Sequence, residues 1–204
     1  KKLNAFTNDM LHGLVAALDE CDERDDVRAV ILTGAGRGFC SGGDVKAMSE
    51  ANKAGRGSAL EDKVAPLRDQ AVLAMRDVSK PLIAAVNGAA AGAGMNIALA
   101  CDIRIASNKA RFGQTFSRRG LHPDWGGTYF LPRIVGMAKA CELIFTGKMI
   151  DADEALSLGI VSQVVEHETL MATTMELAKT MAAGPPIAIR LAKRAMYKAQ
   201  DSSL

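Results

Sequence analysis

Two stretches of the chain share one construction, in which a short buried strand runs into a loop of small residues and a helix begins directly after the loop. The first stretch has the apolar run VRAVILT at 27–33, followed by GAGRGFCSGG at 34–43. The second has LIAAVN at 82–87, followed by GAAAGAG at 88–94. Apolar runs that end at glycine predict buried strands. Strand, loop and helix in repeated order favour an α/β fold over a helical bundle or a β-sandwich.

The remaining elements continue this α/β pattern. Apolar residues at helical spacing predict a first helix that Thr7 or Asn8 caps, and a second helix spans residues 61–78 approximately. Residues 103–106 and 160–165 predict two further strands. No linker is long enough to demand a second domain, so we expect a single domain over the whole chain.

Composition and charge exclude several classes of function. The 204 residues are 49% hydrophobic and 24% charged, which is ordinary for a globular protein and excludes general disorder. The formal net charge of +2 is too small to indicate nucleic acid or an anionic membrane as a partner. The longest apolar stretch, 81–100, is interrupted by glycine and asparagine, so we expect no membrane-spanning segment.

The cysteines and histidines do not form a metal-ligand pattern. Four cysteines and three histidines are scattered along the chain, without the CxxC spacing that is typical of zinc sites. Isolated cysteines of this kind favour buried free thiols in a reducing compartment. We therefore expect no metal, no disulfide framework and a cytoplasmic protein.

The two glycine-rich loops do not carry a nucleotide-binding motif. Neither contains GxxxxGK[ST], and the segments that begin at Gly34 and Gly92 both lack the last glycine of GxGxxG. A helix start still presents unpaired N–H groups and the positive end of the helix dipole, which suits an anion. Two N–H donors that converge on one oxygen would form an oxyanion hole. Tight turns and helix–sheet packing explain the same glycines without any ligand.

Longer segments of the sequence resemble a known family. The signature segments of the crotonase family, the enoyl-CoA hydratase/isomerase superfamily, are similar in order and separation to four segments of this chain. These are FCSGGDVKAM (39–48), PLIAAVNGAAAGAGMNIALACDIRIAS (81–107), GLHPDWGGTYFLPRIVG (120–136) and TGKMIDADEALSLGIVSQVV (146–165). The similarity extends over essentially the whole chain.

The resemblance implies an α/β fold in which a crotonase-like spiral of β-β-α units is followed by a helical C-terminal region. The spiral would occupy residues 1–150 approximately and the mainly helical remainder residues 151–204, within one domain. Relative to the family pattern, N-terminal strands and the last helices are missing, so we expect a fragment of a longer protein. The family also implies a homotrimer or a dimer of trimers.

The resemblance further implies that an acyl-CoA is the substrate. In crotonases two main-chain N–H groups bind the thioester oxygen, and the matching positions here are Gly43 and Ala93. An enolate formed next to the thioester needs such donors in a dry site. CoA enters as part of the substrate, and no other cofactor is implied.

The chain departs from the hydratases of this family at both catalytic glutamates. Asn96 and Phe116 occupy the two positions, and neither side chain can act as a carboxylate acid or base. Asp124 instead resembles the catalytic carboxylate of the Asp-dependent isomerases, such as the dienoyl-CoA isomerases and the 1,2-epoxyphenylacetyl-CoA isomerases. Without the resemblance, Asp124 is better explained as the N-cap of a helix that begins near Trp125.

Other residues receive secondary roles from the same resemblance. Asn96, Phe116 and Trp125 would line the substrate pocket. Arg37 and Lys46 flank the first loop and would meet the CoA phosphates, although exposed basic residues are often only solvated.

We therefore expect an acyl-CoA isomerase in which Asp124 shifts a proton through a thioester enolate. One alternative is a hydratase with an atypical active site, in which Asp124 activates water. The other alternative is a catalytically silent member of the family that binds acyl-CoA or serves as a scaffold.

Overall fold

The computed structural model describes residues 3–43, 50, 53–55, 57–200 and 202, and for 57–64 it describes the backbone alone. The strands are β1 (Val30–Thr33), β2 (Gly38–Cys40), β3 (Leu82–Val86), β4 (Ala89–Ala91), β5 (Ile103–Ser107), β6 (Arg111–Gly113), β7 (Met149–Asp151) and β8 (Gln163–Val165). The helices are α1 (Asn8–Glu23), α2 (Gly57–Asp77), α3 (Ala93–Ala100), α4 (Gly127–Val135), α5 (Met137–Thr146), α6 (Ala152–Ser157), α7 (Leu170–Ala183) and α8 (Pro186–Ala199). Short 3₁₀ turns lie at Ser117–Arg119 and His167–Thr169.

The first sheet is fully parallel and has the strand order β1-β3-β5-β8. Every residue of β3 is buried, as expected for a central strand of a parallel sheet. Ala85 of β3, Ile105 of β5 and Leu170 of α7 form a small buried apolar cluster. Helix α7 therefore covers one face of this sheet.

The second sheet has the order β2-β4-β6-β7, in which only the β6–β7 pair is antiparallel. Consecutive strands of the chain alternate between the two sheets: β1, β3 and β5 lie in the first sheet, and β2, β4 and β6 lie in the second. Helix α3 follows β3 and β4 directly. This alternation forms the spiral of β-β-α units that the resemblance implied, and the α/β prediction is confirmed.

The main core contains residues of both sheets and of helices α1 to α6. All eight residues of α3 are buried, and this helix has only small or aliphatic side chains apart from Asn96. The abundance of alanine and glycine is thus explained in part by a helix that is enclosed on every side. None of the described helices is long and apolar enough to cross a membrane.

The sequence patterns located the long elements and missed the short ones. Thr7 caps α1 as expected, since its side-chain oxygen accepts a hydrogen bond from the Met10 N–H at 3.3 Å. The strands expected at 27–33 and 160–165 are shorter, at Val30–Thr33 and Gln163–Val165. The two glycine-rich segments are not loops throughout, because β2 and β4 form within them. Strands of three residues depend on pairing with distant strands and leave no periodic pattern.

Candidate active site

The two glycine-rich segments pack against each other at the N-terminal end of α3. The Phe6 N–H donates to the Gly42 carbonyl at 2.8 Å, and Phe6 forms an isolated parallel bridge with Gly43. In a parallel bridge with this pattern, the Gly43 N–H points away from Phe6. A Cβ built on Gly42 would lie 3.0 Å from the Ala91 oxygen and 3.6 Å from the Ala93 nitrogen. The structure thus brings together the two segments that carry Gly43 and Ala93.

Gly94 permits this close approach of the two segments. A Cβ at this position would collide with the carbonyl oxygen of Cys40, which ends β2. Cys40 itself is buried, and its burial raises the pKa of the thiol to about 11. Near neutral pH the Cys40 side chain is therefore a neutral packing group beneath the first segment.

Helix α3 begins with an N–H group that has no acceptor inside the helix. Gly92 caps the helix with a φ of 55°, and its own N–H donates to the Gly113 carbonyl at 2.8 Å. Ala93 is the first residue of α3, so its N–H belongs to the unpaired first turn, where the helix dipole is positive. A Cβ on Gly92 would lie 3.6 Å from the Phe116 ring. The half-buried Phe116 ring therefore lies beside the start of α3.

Asp124 lies before α4 but does not cap this helix. The N-cap residue of α4 is Gly126, and the Gly127 N–H donates to the main-chain oxygen of Asp124 at 2.9 Å. The Asp124 carboxylate instead forms an ion pair with Arg68 of α2, with 3.0 Å between Oδ2 and Nη1. The alternative interpretation of Asp124 as an N-cap is thus wrong, because its side chain points to α2 rather than to the start of α4.

Asn96 holds the Asp124 loop against the first turns of α3. Its Nδ2 donates to the main-chain oxygen of Asp124 at 2.7 Å, and its Oδ1 accepts from Gln114 Nε2 at 2.6 Å. Asn96 and Gln114 are both fully buried, so these hydrogen bonds are shielded from water. The Asn96 side chain therefore links three chain segments at the site.

Trp125 connects the Asp124 loop to the first glycine-rich segment. Its ring stacks on the Phe6 ring with 4.5 Å between the centroids, and Phe6 is the residue that bridges to Gly43. Trp125 is only 6% exposed and has a φ of 53°, an uncommon conformation for a bulky residue. Strained residues of this kind persist where the surrounding structure holds them, often at functional sites.

The structure describes one of the two basic residues that are expected to contact CoA. Arg37 is exposed and lies between β1 and β2. Lys46 lies outside the described residues.

No group of three or more potential metal-ligating side chains occurs among the residues that the structure describes.

A second half-buried carboxylate, Asp102, lies at the other end of α3. Its Oδ2 accepts hydrogen bonds from Lys193 Nζ at 2.8 Å and from the Leu82 N–H at 2.7 Å. Its Oδ1 accepts a short hydrogen bond from the Tyr197 hydroxyl. Burial and the negative charge of Asp102 raise the pKa of Tyr197 well above its usual range. Asp102 therefore attaches α8 to β3.

The sequence patterns did not indicate three of these partners. Arg68 is one of several charged residues of α2, Gln114 follows β6 directly, and no pattern in the sequence distinguishes either residue. Lys193 and other basic residues of α8 recur at helical spacing, a pattern that is typical of a solvated helix face. Lys193 is nevertheless buried, with only 7% of its surface exposed. Each of them acts through a contact with a residue that is distant in sequence, so no local signal was available.

Comparisons with known proteins place this geometry in a family. The sequence profile of the family described as enoyl-CoA hydratase/isomerase matches residues 1–204. The short-chain-enoyl-CoA hydratase of Clostridium acetobutylicum is 42% identical, over 100% of this chain and 77% of that protein. The 1,2-epoxyphenylacetyl-CoA isomerase of Escherichia coli is 39% identical, over 100% of this chain and 78% of that protein.

A solved structure gives the same result for the fold. The crystal structure of an enoyl-CoA hydratase from Bacillus anthracis matches with a TM-score of 0.92 and 36% sequence identity. The match covers 99% of this chain and 77% of that chain. Since the profile, the relatives and the fold agree over nearly the entire length, the chain belongs to the enoyl-CoA hydratase/isomerase family, as its sequence resemblance indicated.

Proposed function

We propose that the protein isomerises an acyl-CoA thioester by moving a double bond, with Asp124 as the base. The observation that carries this proposal is the placement of Asp124, whose main chain is bound by Asn96 in the second turn of α3. This bond attaches the Asp124 loop to the helix whose first residue is Ala93, one of the two expected oxyanion donors. The 39% identical relative named as an isomerase supports the same reaction class.

The proposed reaction has two proton transfers. The N–H groups of Gly43 and Ala93 bind the thioester oxygen, and the Asp124 carboxylate removes a proton from the carbon chain of a 3-enoyl-CoA. The electron pair moves into a dienolate, whose oxygen charge is stabilised by the two N–H donors. Asp124 then returns the proton two carbons away, which yields the 2-enoyl-CoA and regenerates the carboxylate.

The surroundings of α3 disfavour the usual hydratase chemistry. Asn96 takes the place of one glutamate, and both polar atoms of its side chain are used inside the protein. Phe116 takes the place of the other glutamate and brings an apolar ring to the same end of α3. Neither residue can activate a water molecule as a general base.

A panel of thioesters in D₂O tests this proposal. We expect a 3-enoyl-CoA to be converted to the 2-enoyl-CoA, and any deuterium that exchanges onto Asp124 during the reaction should enter only at the two carbons between which the proton moves, as followed by NMR and mass spectrometry. Crotonyl-CoA in the same buffer should keep its enoyl absorbance. Rapid hydration of crotonyl-CoA without isomerisation of any 3-enoyl-CoA would overturn the proposal.

The atypical hydratase is the second candidate, because the 42% identical relative is named as a short-chain-enoyl-CoA hydratase. In this candidate Asp124 activates water, and the crotonyl-CoA arm of the panel detects it directly. A silent family member would convert none of the thioesters, and substitution of Asp124 would then leave every readout unchanged.

A homotrimer, or a dimer of trimers, and a cytoplasmic location remain predictions. Large apolar side chains of the helical C-terminal part support an oligomer, because burial between subunits would remove them from water. Ile187 of α8 is 63% exposed and Met196 of the same helix is 65% exposed. Light scattering after size-exclusion chromatography measures the assembly, and a monomeric mass would contradict it.

A further inference from the structure

We propose that Arg68 is a positioning residue for the isomerisation, which holds the Asp124 carboxylate in place. This inference rests on the proposed function of Asp124 as the base. Arg68 lies in α2, far from Asp124 in sequence, and it is outside the four signature segments that carry the resemblance.

The ion pair between Arg68 and Asp124 is sheltered from solvent. The Arg68 side chain is 15% exposed and the Asp124 side chain is 27% exposed, with 3.0 Å between their nearest charged atoms. Ala71 and Met75, which follow Arg68 by three and seven residues on the same side of α2, are fully buried. Because the core holds this face of α2, the backbone position from which the Arg68 side chain extends is fixed.

Asp124 is thus held at two points that have different consequences. Asn96 binds its main-chain oxygen, but this bond leaves the two side-chain torsions of Asp124 free to rotate. The guanidinium of Arg68 binds the carboxylate itself and selects one orientation. A base acts efficiently only within hydrogen-bond reach of the proton that it removes.

The charge of Arg68 strengthens this contact. An ion pair between largely buried side chains is screened less by solvent than one at the surface. Another carboxylate near Arg68 is that of Asp69, at 3.5 Å from Nε, and its side chain is 69% exposed. Solvent screens that contact more strongly than the contact with Asp124, so Asp124 is the stronger of these two partners.

Replacement of Arg68 tests the inference against a matched change on the same helix. We expect Arg68→Met to lower kcat for the 3-enoyl-CoA by about 10- to 100-fold with little change in KM, because substrate binding is kept and the base is misplaced. Arg68→Lys, which keeps the charge, should recover a large part of the lost kcat. Arg76→Met is the control, since Arg76 lies two turns further along α2 with its guanidinium 3.5 Å from the centre of the Tyr197 ring.

The outcomes separate this inference from the proposed function. If the wild type isomerises the thioester and Asp124→Asn does not, an Arg68→Met enzyme with wild-type kcat overturns the role of Arg68 alone. Loss of kcat in Arg76→Met to the same degree, or no recovery in Arg68→Lys, overturns it as well. A wild type without isomerase activity overturns both proposals. Circular dichroism checks folding, and Arg68→Gln is the second neutral variant if Arg68→Met does not fold.

Discussion

The two ends of α3 each have a carboxylate that pairs with a cation, and the comparison shows why pairing alone does not reveal a catalytic group. Asp124 lies at the N-terminal end with Arg68, and its side chain is 27% exposed. Asp102 lies at the C-terminal end with Lys193, and its side chain is 18% exposed. Burial and ion pairing are therefore similar at the two ends.

The partners of the two carboxylates differ in what they connect. Asp102 accepts hydrogen bonds from an ammonium group, a main-chain N–H and a phenol, which together attach α8 to the start of β3. The Asp124 loop lies at the end of α3 where the helix has unpaired N–H groups and a positive dipole. Under the proposed function Asp124 acts on the substrate near these N–H groups, whereas Asp102 lies among structural donors and stabilises the fold.

The largest expected effect distinguishes the two ends by turnover. Asp124→Asn should lower kcat for the 3-enoyl-CoA by about 10²- to 10⁴-fold, since the amide cannot accept the proton. Asp102→Asn should leave kcat per folded molecule close to that of the wild type, because the substituted atoms are at the remote end of α3. Steady-state kinetics with active-site titration measures both. Equal losses in the two variants would remove the functional distinction between the ends.

The second effect distinguishes the ends by stability. Asp102→Asn should reduce the free energy of unfolding by about 3–5 kcal/mol, because it leaves the ammonium of Lys193 buried without a counter-charge. The double variant Asp102→Asn with Lys193→Met should be more stable than the single variant, since no unpaired charge remains. Urea unfolding measures the three proteins. No loss of stability in Asp102→Asn, or no recovery in the double variant, would contradict the structural role of Asp102.

The smallest effect concerns Tyr197 and the dependence of stability on pH. Tyr197→Phe should cost about 1.5 kcal/mol, which is typical of a hydrogen bond to a charged group. The pKa of Tyr197 is raised in the folded protein by burial and by Asp102. A raised pKa means that this contribution is complete below about pH 10, the usual tyrosine value, and is lost as the pH rises further.

The wild type should therefore lose more stability than Tyr197→Phe when the pH is raised above about 10. Urea unfolding of both proteins at neutral and alkaline pH measures the difference in their free energies of unfolding. A difference that stays constant through the alkaline range would contradict the structural role of the Asp102–Tyr197 contact.

Local patterns in the sequence predicted much of the fold. The cap at Thr7, the buried strand β3 and the start of α3 after a glycine were all visible, because each depends on neighbours within a few residues. The short strand β4 was not visible, since it is stable only through pairing with β2 and β6. The segments that resemble the family supplied the spiral, which no internal repeat of the sequence indicated.

The candidate site divides in the same way. The sequence by itself determined that positions 96 and 116 have no glutamate and that position 124 has a carboxylate, and the resemblance to the family predicted main-chain donors at Gly43 and Ala93. Only the tertiary structure decided that Asp124 pairs with Arg68 rather than caps a helix, because this contact joins residues 56 positions apart. It equally decided that Lys193 is buried against Asp102, 91 positions away. Residue types set what each group can donate or accept, and the packing of distant elements selects the groups that meet.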